Sequence, residues 1–148
     1  MSNPLIVELV LDGSVPSKKN SRINTKDGKS FPSKAFADWQ NDALKQVRIQ
    51  TQKRFYKPVS LEVIIYFATD TRADLDNKLT SILDMLVEGM VLRDDKWQEV
   101  PMIAVQAAFR PKKAGAFVRL TELESDVMGA ELEAVRAKRK PRKKLMVK

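Results

Sequence analysis

Residues 59–88 read VSLEVIIYFATDTRADLDNKLTSILDMLVE. The first nine alternate: Val59, Leu61, Val63, Ile65 and Phe67 fall on one side, Ser60, Glu62, Ile64 and Tyr66 on the other. A period of two is that of a strand with one buried face. From Asp74 the period changes. Leu75, Leu79, Ile82, Leu83, Leu86 and Val87 recur at three- and four-residue steps, the stripe of a helix packed on a core. Gly89 follows as a natural C′ stop. A strand feeding directly into a helix sets the fold class: a sheet with helices against it.

On the N-terminal side, Lys57-Pro58 breaks a preceding helix expected over about Lys34–Arg54. Ser33 is its plausible N-cap, and Phe36, Trp39, Ala43 and Val47 mark its apolar face. Gly13–Pro32, rich in Ser, Lys, Asn, Gly and Pro, reads as one long loop. Leu5–Leu11 is a nearly continuous apolar run, expected as a buried strand. On the C-terminal side, Arg93–Lys96 reads as a polar turn and Val100–Phe109 as a strand. Arg110–Gly115 then reads as a hairpin loop and Phe117–Glu122 as the returning strand. The order β-α-β-α-β-β implies a single α+β (mixed α/β) domain over residues 1–124, with one mixed sheet and helices packed on it. Residues 125–148 are expected to form a C-terminal helix, from about Asp126, and a basic tail.

The chain has 148 residues, a length for one domain. It has no Cys and no His. Disulfides, thiolate metal sites, thiol nucleophiles and imidazole bases are thereby excluded. A metal would be held by oxygen ligands, hence a hard cation. No apolar stretch approaches the roughly 18 residues of a membrane span, and Glu8 interrupts the first apolar run. A cytoplasmic protein is expected, with no membrane partner and no small-molecule cofactor.

The net charge of +8 is unevenly placed. Residues 136–148 hold eight basic groups and no acid, and the other 135 residues hold 19 of each sign. That neutral body is polarised. Residues 14–34 carry Lys18, Lys19, Arg22, Lys26, Lys29 and Lys34 against Asp27 alone, and residues 70–99 carry eight acids against four cations. A basic loop and tail favour nucleic-acid partners. Solvated surface charge is the alternative for each.

The sharpest feature is Asp74-Leu75-Asp76-Asn77, followed by Asp94-Asp95. Both sets sit at ends of elements, where carboxylates from separate segments can converge. If Asp74 and Asp76 were both fully helical they would point about 200° apart. They converge only if Asp74 is extended, just before the helix. Two readings stand: a carboxylate metal site, or an N-capping Asp with surface charge. A cap explains one Asp but not the whole set.

At these residues the chain resembles the RusA-type Holliday junction resolvases, small endodeoxyribonucleases common in phages and prophages. The resemblance rests on Asp74-Leu75-Asp76-Asn77, the apolar helix with Asp84, Asp94-Asp95 at the family's distance, and the loop Val15-Pro16-Ser17-Lys18-Lys19-Asn20-Ser21-Arg22. It spans roughly residues 5–122. It implies a homodimer that binds four-way or branched DNA and cuts two opposed strands with Mg²⁺, for which Mn²⁺ can substitute, in the bacterial host cytoplasm if phage-encoded. By position, Asp74, Asp76 and Asp95 would be the catalytic, metal-binding acids. Lys18, Lys19, Arg22, Lys34 and Arg72 are the expected DNA contacts, and roles for Lys78, Asp84 and Asp94 stay open. In one departure, Thr80 stands where the family usually has Lys. Lys78 lies about 160° from it around the helix and does not simply replace it. Lys78 reads more readily as a solvated residue. Trp97 reads as core or interface packing, and Arg110, Lys112 and Lys113 as possible phosphate contacts.

Overall fold

A computed structural model of the chain describes residues 3–17, 22–24, 26–28, 30–124 and 129–139. Its elements are β1 (Ile6–Asp12), β2 (Arg22–Asn24), β3 (Ser30–Pro32), α1 (Lys34–Gln50), β4 (Val59–Phe67), α2 (Leu75–Glu88), β5 (Met102–Phe109), β6 (Gly115–Glu122) and α3 (Ala130–Lys138). The expected β-α-β-α-β-β order and the α+β class are present, with β2 and β3 added and the expected C-terminal helix described over Ala130–Lys138.

The four long strands form one mixed sheet in the order β1-β6-β4-β5. β4 pairs β5 in parallel and β6 antiparallel. Residues alternate as their period demands. Val7, Leu9 and Leu11, Leu61, Val63 and Ile65, and Ala116, Val118 and Leu120 are buried in one core with Ala43 and Val47 of α1 and Ile82, Met85 and Leu86 of α2. Both long helices therefore cover the same face. On the other face Arg119 bridges Glu8 at 3.8 Å and Glu62 at 3.2 Å. β1 is thus buried on one side only, because Ile6, Glu8, Val10 and Asp12 are exposed.

The two sheet edges differ. Along the free edge of β1, Gln50 accepts from Val10 N–H and donates to Val10 C=O, both at 2.7 Å. Gln46 does the same for Asp12, at 2.7 and 3.3 Å. The two amides stand in for a neighbouring strand. β5 is the other edge, and no described strand or side chain pairs its outer side.

Several local expectations are corrected. β5 and β6 are no hairpin. The chain passes over the end of β4, where Arg110 N–H donates to Phe67 C=O at 2.8 Å, and β6 enters on the far side of β4. Gly115 is required at that entry, since a Cβ there would run into the Leu11 carbonyl oxygen. Helix α1 ends at Gln50 rather than Arg54, with Thr51 extended. The chain then runs extended, and Phe55 reaches the core and bonds Val91 C=O through its N–H. Within the presumed long loop, β2 and β3 pair with each other.

The α2 stop also differs. Gly89 is not left-handed; Met90 is, with φ 63°. Met90 N–H reaches Val87 C=O and Val91 N–H reaches Leu86 C=O, both at 3.0 Å, the paired bonds of a Schellman turn. Gly89 sits in a tight place instead: a Cβ there would lie 3.0 Å from the Leu44 side chain, which would have to shift. Ser33 caps α1 as expected, its Oγ accepting from Phe36 N–H at 3.2 Å. Among the described residues no helix is long and apolar enough to cross a membrane.

Candidate active site

Helix α2 begins where the connection from β4 ends. Asp74 is its N-cap residue, with φ −79° and ψ 127°, the extended geometry that convergence with Asp76 requires. Its carboxylate makes no cap hydrogen bond. The capping explanation therefore does not account for it. Its described partner is Asn77, whose Nδ2 donates at 3.5 Å, a weak contact that turns the carboxylate toward a buried amide. Asp76 lies in the first helical turn, exposed, where the helix dipole favours a negative charge.

Asp94 and Asp95 sit in the turn between α2 and β5. Asp94 Oδ1 accepts from Asp95 N–H at 2.7 Å, and Lys96 Nζ lies 3.5 Å from the other oxygen. That backbone bond, its hydrogen bond with Asp95 and the Lys96 charge hold the Asp94 carboxyl below the usual range. Asp95 moves the opposite way. Partial burial of its carboxyl, the hydrogen bond with Asp94, and the Asp94 and Asp84 charges push its pKa up. Asp84 of α2 thus faces the same region as Asp95, which places it near the acidic turn rather than on an unrelated surface. The structure joins Asp84, Asp94 and Asp95 electrostatically, and joins Asp74 to Asn77. Among the described residues, no group of three or more acids is placed to hold a metal ion. The donor chemistry nevertheless suits a hard cation: Mg²⁺ takes one or two carboxylates and fills its other positions with water and phosphate oxygens.

Lys78 is not a solvated surface residue. It is half-buried, its Nζ donates to Val15 C=O at 2.5 Å, and burial pushes its pKa down. One turn on, the fully buried Ser81 donates to Pro16 C=O at 2.6 Å. These two bonds fasten the start of the basic loop to the acidic helix. Sequence reasoning missed this role, because the partners are more than sixty residues apart. Thr80 donates its hydroxyl to Asp76 C=O at 3.0 Å and supplies no cation at that position.

Of the expected DNA contacts, Lys34 and Arg72 are exposed, on the first turn of α1 and the approach to Asp74. Lys18 and Lys19 lie outside the described residues, as does the tail from Lys140, and Arg22 is described only as backbone of β2. Trp97 is 59% exposed and so is not core. Arg110 stacks 3.8 Å from the Tyr66 ring centroid and donates to Lys113 C=O, an engagement that shapes the crossing loop. Beside Asp74, a cleft of about 500 Å³ is lined by Asp70, Thr71, Ala73, Phe67, Ala107 and Phe109. Its walls offer a stacking surface next to the acids.

A family model described as endodeoxyribonuclease RusA matches residues 12–121. This interval contains β2 to β5 and nearly all of β6, with every acid of the candidate site. A search of curated proteins gives no match.

Proposed function

Since the chain belongs to the RusA endodeoxyribonuclease family, we propose that it is a metal-dependent, structure-selective endodeoxyribonuclease that resolves Holliday junctions and related branched DNA by paired symmetric nicks. The observation that carries this reading is the family match across the segment holding Asp74, Asp76 and Asp95. Residues 1–124 are the nuclease unit, and 125–148 an appendage outside the chemistry. A homodimer suits the substrate, because two equivalent sites meet two equivalent strands.

Asp74, Asp76 and Asp95 are the proposed donors for Mg²⁺ or Mn²⁺. When bound, the cation would polarise the phosphate and help to generate the attacking hydroxide. The residues of the chain do the rest. Partial burial of its carboxyl, and then crowding by Asp94 and Asp84, push the Asp95 pKa up, so its ionised form gains from positive charge nearby. Asn77, buried beneath Asp74, limits how that carboxylate can turn. Lys78 and Ser81 set where the basic loop leaves the helix, and Lys18, Lys19, Arg22, Lys34 and Arg72 would hold backbone phosphates around the acids.

The test is a labelled four-way junction incubated with the full chain and Mg²⁺. Paired nicks at opposed positions are expected, and their loss in Asp76→Asn. Undiminished cleavage by that variant would remove the site from these residues. Thr80 favours a second reading, a junction-binding protein with weak or no cleavage. That reading expects tight binding with background turnover in both metals, and gain of cutting in Thr80→Lys.

A further inference from the structure

Residues 43–61 contain Lys45, Arg48, Lys53, Arg54 and Lys57 and no acid. This run spans the end of α1 and the extended segment that follows. The C-terminal turn of α2 packs beside it. Together they form a pocket of about 510 Å³ whose lining includes Arg48, Lys53, Arg54, Tyr56 and Met90, with no carboxylate.

Two features of the pocket point to a ligand. The Arg54 Nε is buried and, among the described residues, has no hydrogen-bond partner. A buried N–H of a cation left unbonded is costly, and an anionic oxygen is its natural acceptor. Tyr56 is 66% exposed, with the Arg54 guanidinium 5.8 Å from its ring centroid. An exposed ring beside cations is how unstacked bases are held next to their phosphates. Two helices end here, and their dipoles favour a cation. That accounts for Arg48 in the last turn of α1, but not for three cations with an exposed ring.

We propose that this pocket is a second nucleic-acid contact, in which Arg48 and Arg54 hold a backbone phosphate and Tyr56 stacks on an unpaired base. It lies at the opposite end of α2 from Asp74 and Asp76. Fourteen helical residues span about 21 Å, roughly six nucleotide steps of a B-form strand. A strand leaving the acidic end can therefore reach it. The inference rests on the reading of the protein as a binder of branched DNA, and adds where a second stretch of that DNA is held.

The test uses the full chain and a fluorescent four-way junction with one unpaired base near its centre. Affinity is measured by anisotropy at several salt concentrations, with thermal melts to establish folding. Arg48→Ala/Arg54→Ala is expected to weaken binding at least about tenfold, and to make the slope of log affinity against log salt shallower by about one. Tyr56→Ala, at an exposed position, should weaken binding to the unpaired-base junction about fivefold or more, and to a fully paired duplex far less. Arg54→Lys should restore the charge but only part of the affinity. If wild type binds the junction and the folded variants bind it equally well, the second contact is overturned while the DNA reading stands. If wild type does not bind the junction, both fall. Junction affinity unchanged together with pocket-dependent binding of a poly-glutamate peptide would assign the pocket to an acidic protein segment and overturn the proposal.

Discussion

The two ends of helix α2 face opposite charge, carboxylates of its own at the start and, beside its last residue Glu88, cations of α1 and the segment after it. At the N-terminal end stand Asp74 and Asp76; at the C-terminal end Arg48, Lys53 and Arg54 gather beside the turn made by Met90. Helix dipoles favour acids at the one end and neighbouring cations at the other. Charge placement is therefore weak evidence at either end. What informs is the bonding that is left over: Asp74 does not cap, and Arg54 Nε donates to nothing described. The N-terminal end is also fastened to a distant loop through Lys78 and Ser81, while the C-terminal end closes on itself in a Schellman turn.

The largest expected effect breaks the contrast at the acidic end. Asp76→Asn should lower the single-turnover cleavage rate at saturating Mg²⁺ by at least about 100-fold, with thermal stability little changed. A rate within twofold of wild type would mean that this end is only surface charge. Next is the fastening. Lys78→Met leaves Val15 C=O without its donor and should cost roughly 1–3 kcal/mol. In denaturant melts the loss should appear together with faster amide exchange around residues 13–17 and a KM for junction raised more than kcat falls. An unaltered exchange pattern would show that the loop holds its place without the bond.

Asp95 gives a pH signature. Its pKa is raised in the folded state, so its ionised form opposes folding above that pKa. The penalty fades as pH falls toward the unfolded value near 3.9. Asp95→Asn should therefore melt higher than wild type at pH 7, and the difference should shrink on acidification. A variant that melts lower at pH 7 would contradict the crowding by Asp94 and Asp84. The smallest effect belongs to the C-terminal turn. Met90→Gly relieves a left-handed side-chain residue and should stabilise by about 0.5–1 kcal/mol in the same melts, because Met90 is 58% exposed and loses little packing. Destabilisation would show that the Met90 side chain is needed where it stands.

The strand of β4 and the helix α2 are legible in residues 59–88, because a change of period from two to about 3.6 survives any tertiary context. Ser33 is legible for the same local reason. The β5–β6 relation is not: a loop such as Arg110–Gly115 carries the same turn residues whether its strands pair or straddle a third. The end of α1 is set by the core's need for Phe55, which no residue near Gln50 announces. The extended Asp74 follows from the angular argument, but the bond of Lys78 to Val15 is a long-range event without a local signal. The basic run over residues 43–61 is plainly written, yet a charge census dominated by the larger excess in the tail passes over it.

The glutamines on β1 have a consequence for where the sheet can accept a neighbour. With Gln46 and Gln50 occupying the Val10 and Asp12 positions of one margin, β5 is the more open edge for another strand. Two side-chain amides thus blunt part of a strand edge without a covering strand, and replacing both with alanine would leave the backbone groups of Val10 and Asp12 open to one.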